Sequence, residues 1–188
     1  MIAHRVGHIS LPSKLSLLPW SVQAVVLHVV LLGSRTVMSV MHLAPAMRIN
    51  GVVSSGLGRA HIFMSQPHYQ EQFKSIIGRS AWPGTLNVHV EGDSLINYKK
   101  LRVSAGLDEG EASNITAHRI KGFDRDGVSF GGATAFLAKL NSSGESHDCA
   151  ILIPDLTRHE DVVEVIADIF LRESCSIDDG DTISIVLE

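Results

Sequence analysis

The sequence predicts a mainly β fold, a closed or nearly closed β-barrel carrying two short α-helices. Short strand signals and turn signals alternate from Arg48 to the end of the chain. Hydrophobic residues make up 45% of the chain but aromatics only 5%, so the core must be built from Val, Ile and Leu. Those types suit a pleated, half-buried surface. No regular alternation of strand and helix occurs, which argues against a doubly wound parallel sheet.

Taken in order, Ile49 to Ser54 reads as a strand running into the turn Ser54-Ser55-Gly56-Leu57-Gly58. Tyr69, Phe73, Ile76 and Ile77 fall on one helical face, and Gly78 stands where a helix commonly ends. Thr85-Leu86-Asn87-Val88-His89-Val90 alternates strictly, as a strand with one buried face does. Further strands are predicted at 101–103, 114–120, 128–130, 134–140 and 149–153, with Asn141-Ser142-Ser143-Gly144 as a hairpin connection. A second helix is predicted from His159 to Arg172, turning Val162, Val163, Ile166 and Phe170 inward. After the turn Asp178-Asp179-Gly180, a last strand from Thr182 to Leu187 buries Ile183, Ile185 and Leu187.

Composition narrows the function classes. The charged fraction of 19% and net charge of −4 are those of a globular protein without a basic stripe, so no nucleic-acid partner is expected. Cys149 and Cys175 form neither a metal-ligand spacing nor a disulfide framework, which points to structural thiols in a reducing, cytoplasmic compartment. The histidines make no His-x-x-x-His pair, so no zinc site is expected.

Residues 1–48 differ from the rest: all 20 Asp and Glu fall after them. An apolar run from Val25 to Leu32 follows Leu15 to Leu18, but Pro19, Ser21, Gln23 and His28 interrupt it, against a membrane span. Arg5 and Lys14 fit a secretory leader loosely. The favoured reading is a poorly ordered extension, such as an upstream start would add, leaving 49–188 as the folded domain, with no membrane association expected there.

Three clusters could carry chemistry. Gly51-Val52-Val53-Ser54-Ser55-Gly56-Leu57-Gly58-Arg59 is either a glycine-rich turn or an anion cradle, since glycines let backbone N–H groups approach phosphate. It is not a Walker A loop, because no Gly-Lys-Ser/Thr follows. In Trp82-Pro83-Gly84-Thr85-Leu86-Asn87, strand alternation projects Thr85 and Asn87 together. They either meet solvent or offer two neutral oxygens to a hard cation such as Mg²⁺, which takes phosphates as further ligands. The third cluster runs from Pro154 to Arg172. Thr157 with Glu160 fits a capping box, and Glu164, Asp168 and Arg172 share one stripe of the predicted helix. Either these are structural, or Thr157 and Glu164 face a ligand, with the carboxylate able to take a proton from a hydroxyl.

In this order the clusters resemble the archaeal-type CTP-dependent riboflavin kinases. The resemblance rests on Ser55-Gly56-Leu57-Gly58, Tyr69 with Phe73, Pro83-Gly84-Thr85-Leu86-Asn87, Thr157, Glu164, Leu171-Arg172 and Asp179-Gly180-Asp181, over about residues 50–186. Pro83 to Asn87 is its most specific string.

The resemblance implies a cradle-loop, RIFT-like barrel that transfers the terminal phosphate of CTP to the 5′-hydroxyl of riboflavin. It implies that Gly56, Leu57, Gly58, Arg59, Ala60 and His61 hold the nucleotide phosphates and that Thr85 and Asn87 bind Mg²⁺. Thr157 and Glu164 would contact the flavin, Glu164 as the catalytic group. Ile169, Phe170, Leu171 and Arg172 would line the base. Four departures stand out: Ala60 where glycine is common, Arg59 where an acid is frequent, Asp168 in place of proline, and a slightly shorter loop after Thr157. An alanine at a site of positive φ would be costly, so a non-catalytic flavin- or nucleotide-sensing barrel is the alternative.

Overall fold

The computed structural model describes residues 25–32, 35–42, 46–56 and 58–187. The chain divides into two compact units, 1–45 and 46–188. In the first, β1 (Val25–Leu32) and β2 (Arg35–His42) form an antiparallel pair with Val25 opposite His42 and Leu32 opposite Arg35. The expectation of poor order for 1–48 lies otherwise outside the described residues up to Pro45. No helix among the described residues is long and apolar enough to cross a membrane.

The second unit is built on a ring of six antiparallel strands. These are β3 (Arg48–Ser54), β4 (Leu86–His89), β8 (Ala133–Ser142), β9 (Glu145–Pro154), β10 (Val162–Ile166) and β11 (Thr182–Leu187). Their order is β3-β4-β10-β9-β8-β11, and β11 pairs again with β3, which closes the barrel. Closure removes the free edges through which strands aggregate. β5 (His118–Ile120) pairs with the first residues of β8, and β6 (Phe123–Arg125) with β7 (Val128–Phe130) forms a separate hairpin.

Alternation sorts each strand between two cores. Ile49, Val53, Val88, Val163, Val165 and Ile185 face the barrel interior and are at most 1% exposed. Ala135, Ala150, Leu152 and Ile166 face outward and are covered from outside by Met64 of α1 (Ala60–Met64) and by Tyr69 and Phe73 of α2 (Pro67–Ile77). α2 ends at Gly78 in the left-handed conformation, φ 80°, as its position after the apolar face led us to expect. The β8–β9 hairpin turns at Ser143 and Gly144, both at positive φ, within the predicted connection.

Two predicted elements are of the other type. Residues 101–103 belong to α3 (Gly92–Ser104), not to a strand: Tyr98, Leu101 and Arg102 are buried at helical spacing. The helix expected from His159 to Arg172 is instead the strand β10, a bend, and the short α4 (Leu171–Ser174). Val163 and Val165 point into the barrel, whereas Phe170, expected inward, is 40% exposed. β-Branched residues lose side-chain freedom in a helix, and ladders to both β4 and β9 decide the matter here. Of the strand expected at 114–120, three residues are paired.

Candidate functional site

Register places the first set of residues. Ser54 of β3 is opposite Asn87 of β4, and Asn87 is opposite Glu164 of β10. Their neighbours Val53, Val88 and Val163 fill the barrel, so Ser54, Asn87 and Glu164 form a half-buried row on its outer face. Such partners sit with Cβ atoms about 5 Å apart. Thr85 donates its hydroxyl to Asn87 Oδ1 at 3.2 Å.

The glycine loop folds over this row. A Cβ on Gly56 would stand 2.3 Å from Asn87 Nδ2, so any larger residue would displace the amide. Gly58 takes φ +67°, and Arg59, at φ −85°, precedes α1. Ala60 is the first residue of that helix and carries no left-handed strain. The positive-φ residues other than glycine among the described residues are Asp126, Ser143 and Ser176. The strain feared from alanine at 60 therefore does not arise. His61 Nδ1 lies 2.7 Å from the Gly58 carbonyl; a carbonyl only accepts, so this nitrogen carries the proton. Leu57 lies outside the described residues.

The second set meets the first at one end of the β4–β10 pair. A small pocket there is lined by Thr85, Ile169, Phe170, Leu171 and Arg172, together with Trp82. The Trp82 and Phe170 rings stack at 5.3 Å and 26°, and the Trp82 amide donates to the Ala167 carbonyl at 2.7 Å. Arg172 donates to the Ser54 carbonyl at 3.0 Å and to Asp179 at 2.7 Å, while Ser55 donates to the other Asp179 oxygen at 2.6 Å. Asp179 thus ties the glycine loop to α4. The Ser55 hydroxyl first, then the Arg172 guanidinium, holds its carboxyl below the usual carboxylate range. Trp82 and Asp179 went unassigned as site residues in the sequence reading. Their signals were an aromatic before Pro83-Gly84 and an acid in a turn whose partner was 124 residues away.

The third set is more dispersed. Thr157 lies in the loop joining β9 to β10, its amide donating to the Pro154 carbonyl at 3.1 Å. No helix starts there, so the capping box with Glu160 does not form. The loop is held by Arg119 on Asp155 and by Arg102, which donates to the His159 carbonyl at 3.0 Å. Asp168 pairs with Arg79 at 2.8 Å, away from Glu164, so the stripe of Glu164, Asp168 and Arg172 is dissolved. No hydrogen bond among the described residues joins Thr157 to Glu164.

Burial raises the Glu164 carboxyl above its ordinary 4.5, offset in part by His159. A carboxylate so placed is a better proton acceptor than an exposed one. Among the described residues no three His, Cys, Asp or Glu converge as a metal-binding set. The oxygens of Thr85 and Asn87 lie 3.2 Å apart, joined by their own hydrogen bond.

The family model CTP-dep_RFKase, described as a domain of unknown function (DUF120), matches residues 53–187. A riboflavin kinase of Methanoculleus marisnigri is 35% identical over 138 residues, covering 73% of this chain and 55% of the relative. Riboflavin kinases of Thermoplasma acidophilum and Haloquadratum walsbyi are each 32% identical, over 137 and 142 residues, with 56% of each relative covered. The chain spans about half the length of these curated relatives.

The Asp179 bracket can be tested directly. In Arg172→Gln the Asp179 carboxyl, followed by NMR titration, should rise but stay below an exposed aspartate, because the stronger Ser55 hydrogen bond remains. An unmoved titration would show that Arg172 does not hold it.

Proposed function

Because the chain belongs to the CTP-dependent riboflavin kinase family, we propose that its barrel domain transfers the terminal phosphate of CTP to riboflavin, giving FMN and CDP. The observation that carries this reading is the contact of the glycine turn with Asn87, whose amide oxygen pairs with Thr85 at 3.2 Å. Phosphoryl transfer asks a protein for alignment and charge neutralisation more than for covalent chemistry.

The pair fits a Mg²⁺ ion. At metal–oxygen distances of 2.0–2.1 Å, neighbouring oxygens of an octahedral shell lie roughly 3 Å apart. Thr85 Oγ1 and Asn87 Oδ1 are close to that separation and both neutral, leaving the ion's charge for phosphates. Bound there, the ion would neutralise charge on the donor's terminal phosphates. We assign the backbone amides of the turn from Gly56 to Ala60, with Arg59 and His61 beside them, to the remaining phosphate oxygens. The cleft of Ile169 to Arg172, with Trp82, is assigned to the nucleotide base.

The riboflavin 5′-hydroxyl oxygen forms the new bond to the γ-phosphorus as the bond to the β-phosphate oxygen breaks and CDP leaves. Glu164 orients that hydroxyl and takes its proton, and Thr157 holds the flavin from the neighbouring loop. A cytoplasmic setting is supported by two free, buried thiols, Cys149 and Cys175.

The direct test is purified protein with riboflavin, Mg²⁺ and either CTP or ATP, with FMN followed by chromatography. We expect product with CTP. Product with ATP alone would move the donor, and tight flavin binding without product would favour a sensor.

Asn87→Ala should cripple turnover and shift the Mg²⁺ requirement upward. Even supporting residues around metal ligands cost about 10–100-fold in affinity, so a direct ligand should cost at least that. Partial rescue by added Mg²⁺ is expected; an unchanged rate at limiting metal would remove Asn87 from the site.

Glu164→Gln should lower turnover by about 100-fold or more. Its effect on stability has the opposite sign. Burial raises the native titration above 4.5, so at neutral pH the folded state carries a carboxylate it would sooner hold protonated. The variant should therefore melt higher than wild type at pH 7–8. That gain should shrink as pH falls through the raised native titration and vanish below the ordinary glutamate range, where both states are neutral. A gain independent of pH in thermal melts would refute the ionic cause.

A further inference from the structure

We propose that Asp179 is a positioning residue for the phosphate donor, a latch that fixes the distance between the glycine turn and the Trp82–Phe170 cleft so that one nucleoside triphosphate spans both. The inference rests on the kinase reading for its ligand. It goes beyond that reading in naming a residue, outside the groups assigned to touch the donor, that sets donor affinity.

Connectivity is the first observation. Each carboxylate oxygen of Asp179 serves a different element: Oδ2 accepts from the Ser55 hydroxyl at 2.6 Å, and Oδ1 from Arg172 Nη2 at 2.7 Å. The same Arg172 nitrogen donates to the Ser54 carbonyl at 3.0 Å, which closes a ring of contacts through Ser54, Ser55, Asp179 and Arg172. One side of that ring continues into Gly56, which lies against Asn87. The other side is the wall of the cleft that also holds Thr85. Among the described residues, the Arg172–Ser54 contact is the one hydrogen bond that joins 54–60 directly to 167–174.

Redundancy is the second. The turn that carries Asp179 is held without its side chain. The Gly180 amide donates to the Val53 carbonyl at 2.9 Å, the Val53 amide to the Asp181 carbonyl at 2.8 Å, and the Asp178 amide to Asp181 Oδ2 at 2.8 Å. The Asp179–Arg172 pair lies at the surface, with the Asp179 side chain 52% exposed. An ion pair so exposed adds little to stability. What it supplies is direction. The guanidinium is planar, so fixing Nη2 also fixes where Nη1 and Nε point. Those two nitrogens make no hydrogen bond among the described residues, and Arg172 lines the cleft.

The ligand's own length is the third consideration. A nucleoside triphosphate carries its base at one end and its terminal phosphates at the other. Two subsites hold it at once only at the separation its bonds dictate, as a linker must match the span between two sites. Setting that separation beforehand removes an ordering cost from binding. A fragment that fills one subsite alone escapes the requirement. Opening the latch therefore harms the whole nucleotide more than its parts.

The test compares whole and parts. Dissociation constants of CTP, cytidine and tripolyphosphate are measured by calorimetry at constant Mg²⁺ in wild type, Asp179→Asn, Ser55→Ala and the double variant. Asp179→Asn keeps the shape of the side chain and removes the charge that holds Arg172, while Ser55→Ala cuts the other arm at an exposed residue. Each single variant should weaken CTP by about tenfold, the scale of one charge-assisted hydrogen bond, and each fragment by less than about threefold. KM for CTP should rise in step, while KM for riboflavin and the melting temperature hold. The double variant should be little worse than either single one, because both arms belong to one latch. Unchanged CTP affinity in the single variants would overturn the latch, as would an equal loss for the fragments, a fall in melting temperature that tracks the affinity, or independent effects that multiply. Wild type that binds CTP but forms no FMN would overturn the kinase reading, with the latch still decided by the binding constants. Wild type without affinity for CTP would overturn both.

Discussion

The barrel's inner packing dictates where its outer chemistry stands. Val53, Val88 and Val163 are each at most 1% exposed and face one another across β3, β4 and β10. Because side chains alternate with a period of two, burying those valines turns Ser54, Asn87 and Glu164 outward as a single row. A slip of one residue in any of the three strands would exchange the sets. The hydrophobic core therefore sets the spacing of the functional groups, and the closed ring prevents the strands from sliding. The glycine turn adds a second constraint. Asn87 occupies the space beside Gly56 where a side chain would be, so the turn and the amide are placed by each other.

Much of this was legible in the sequence wherever a segment satisfied one period only. Thr85 to Val90 and Thr182 to Leu187 alternate without ambiguity, and the strands β4 (Leu86–His89) and β11 (Thr182–Leu187) form there in the expected phase. The segment after Pro154 satisfies two periods. Val162, Val163, Ile166 and Phe170 fit a helix, while Val163 and Val165 fit a strand. The choice is made by β4 and β9, which lie on either side of it and are remote in sequence. That error propagated into the site. Glu164, Asp168 and Arg172 looked like one stripe, yet Asp168 pairs with Arg79, Arg172 with Asp179, and Glu164 stands alone in β10.

Residues that act through distant contacts were the ones missed. Trp82 gains its meaning from Phe170 and Ala167, and Asp179 from Ser55 and Arg172. Nothing local in the chain announces those contacts. Motif resemblance succeeded where periodicity failed, because a string such as Pro83 to Asn87 keeps its identity whatever its neighbours do. It linked the glycine turn with Thr85 and Asn87 before any geometry was known, and Gly56 lies against Asn87. It could not say that alanine at 60 would be harmless, since that depends on where α1 begins. Gly58 takes the left-handed residue, and the helix starts two positions later.

Two carboxylates, Asp179 and Glu164, stand near the glycine turn and the β4–β10 pair, and their surroundings drive their titrations apart. Asp179 accepts from Ser55 and Arg172, which hold it ionised and spend its charge on protein donors. Beside the turn we assign to phosphate, a free carboxylate would repel the donor; one already bracketed by a cation would do so far less. Glu164 has no such bracket, and burial makes its ionised form costly. A group that resists ionisation holds a proton more readily once one is offered, as a substrate hydroxyl would offer it. Environments that separate two like groups in this way are how one site assigns a structural and a chemical role to the same functional group. Here the separation follows from the fold: Asp179 projects from a surface turn that can reach α4, and Glu164 stands in the middle of a strand between two others.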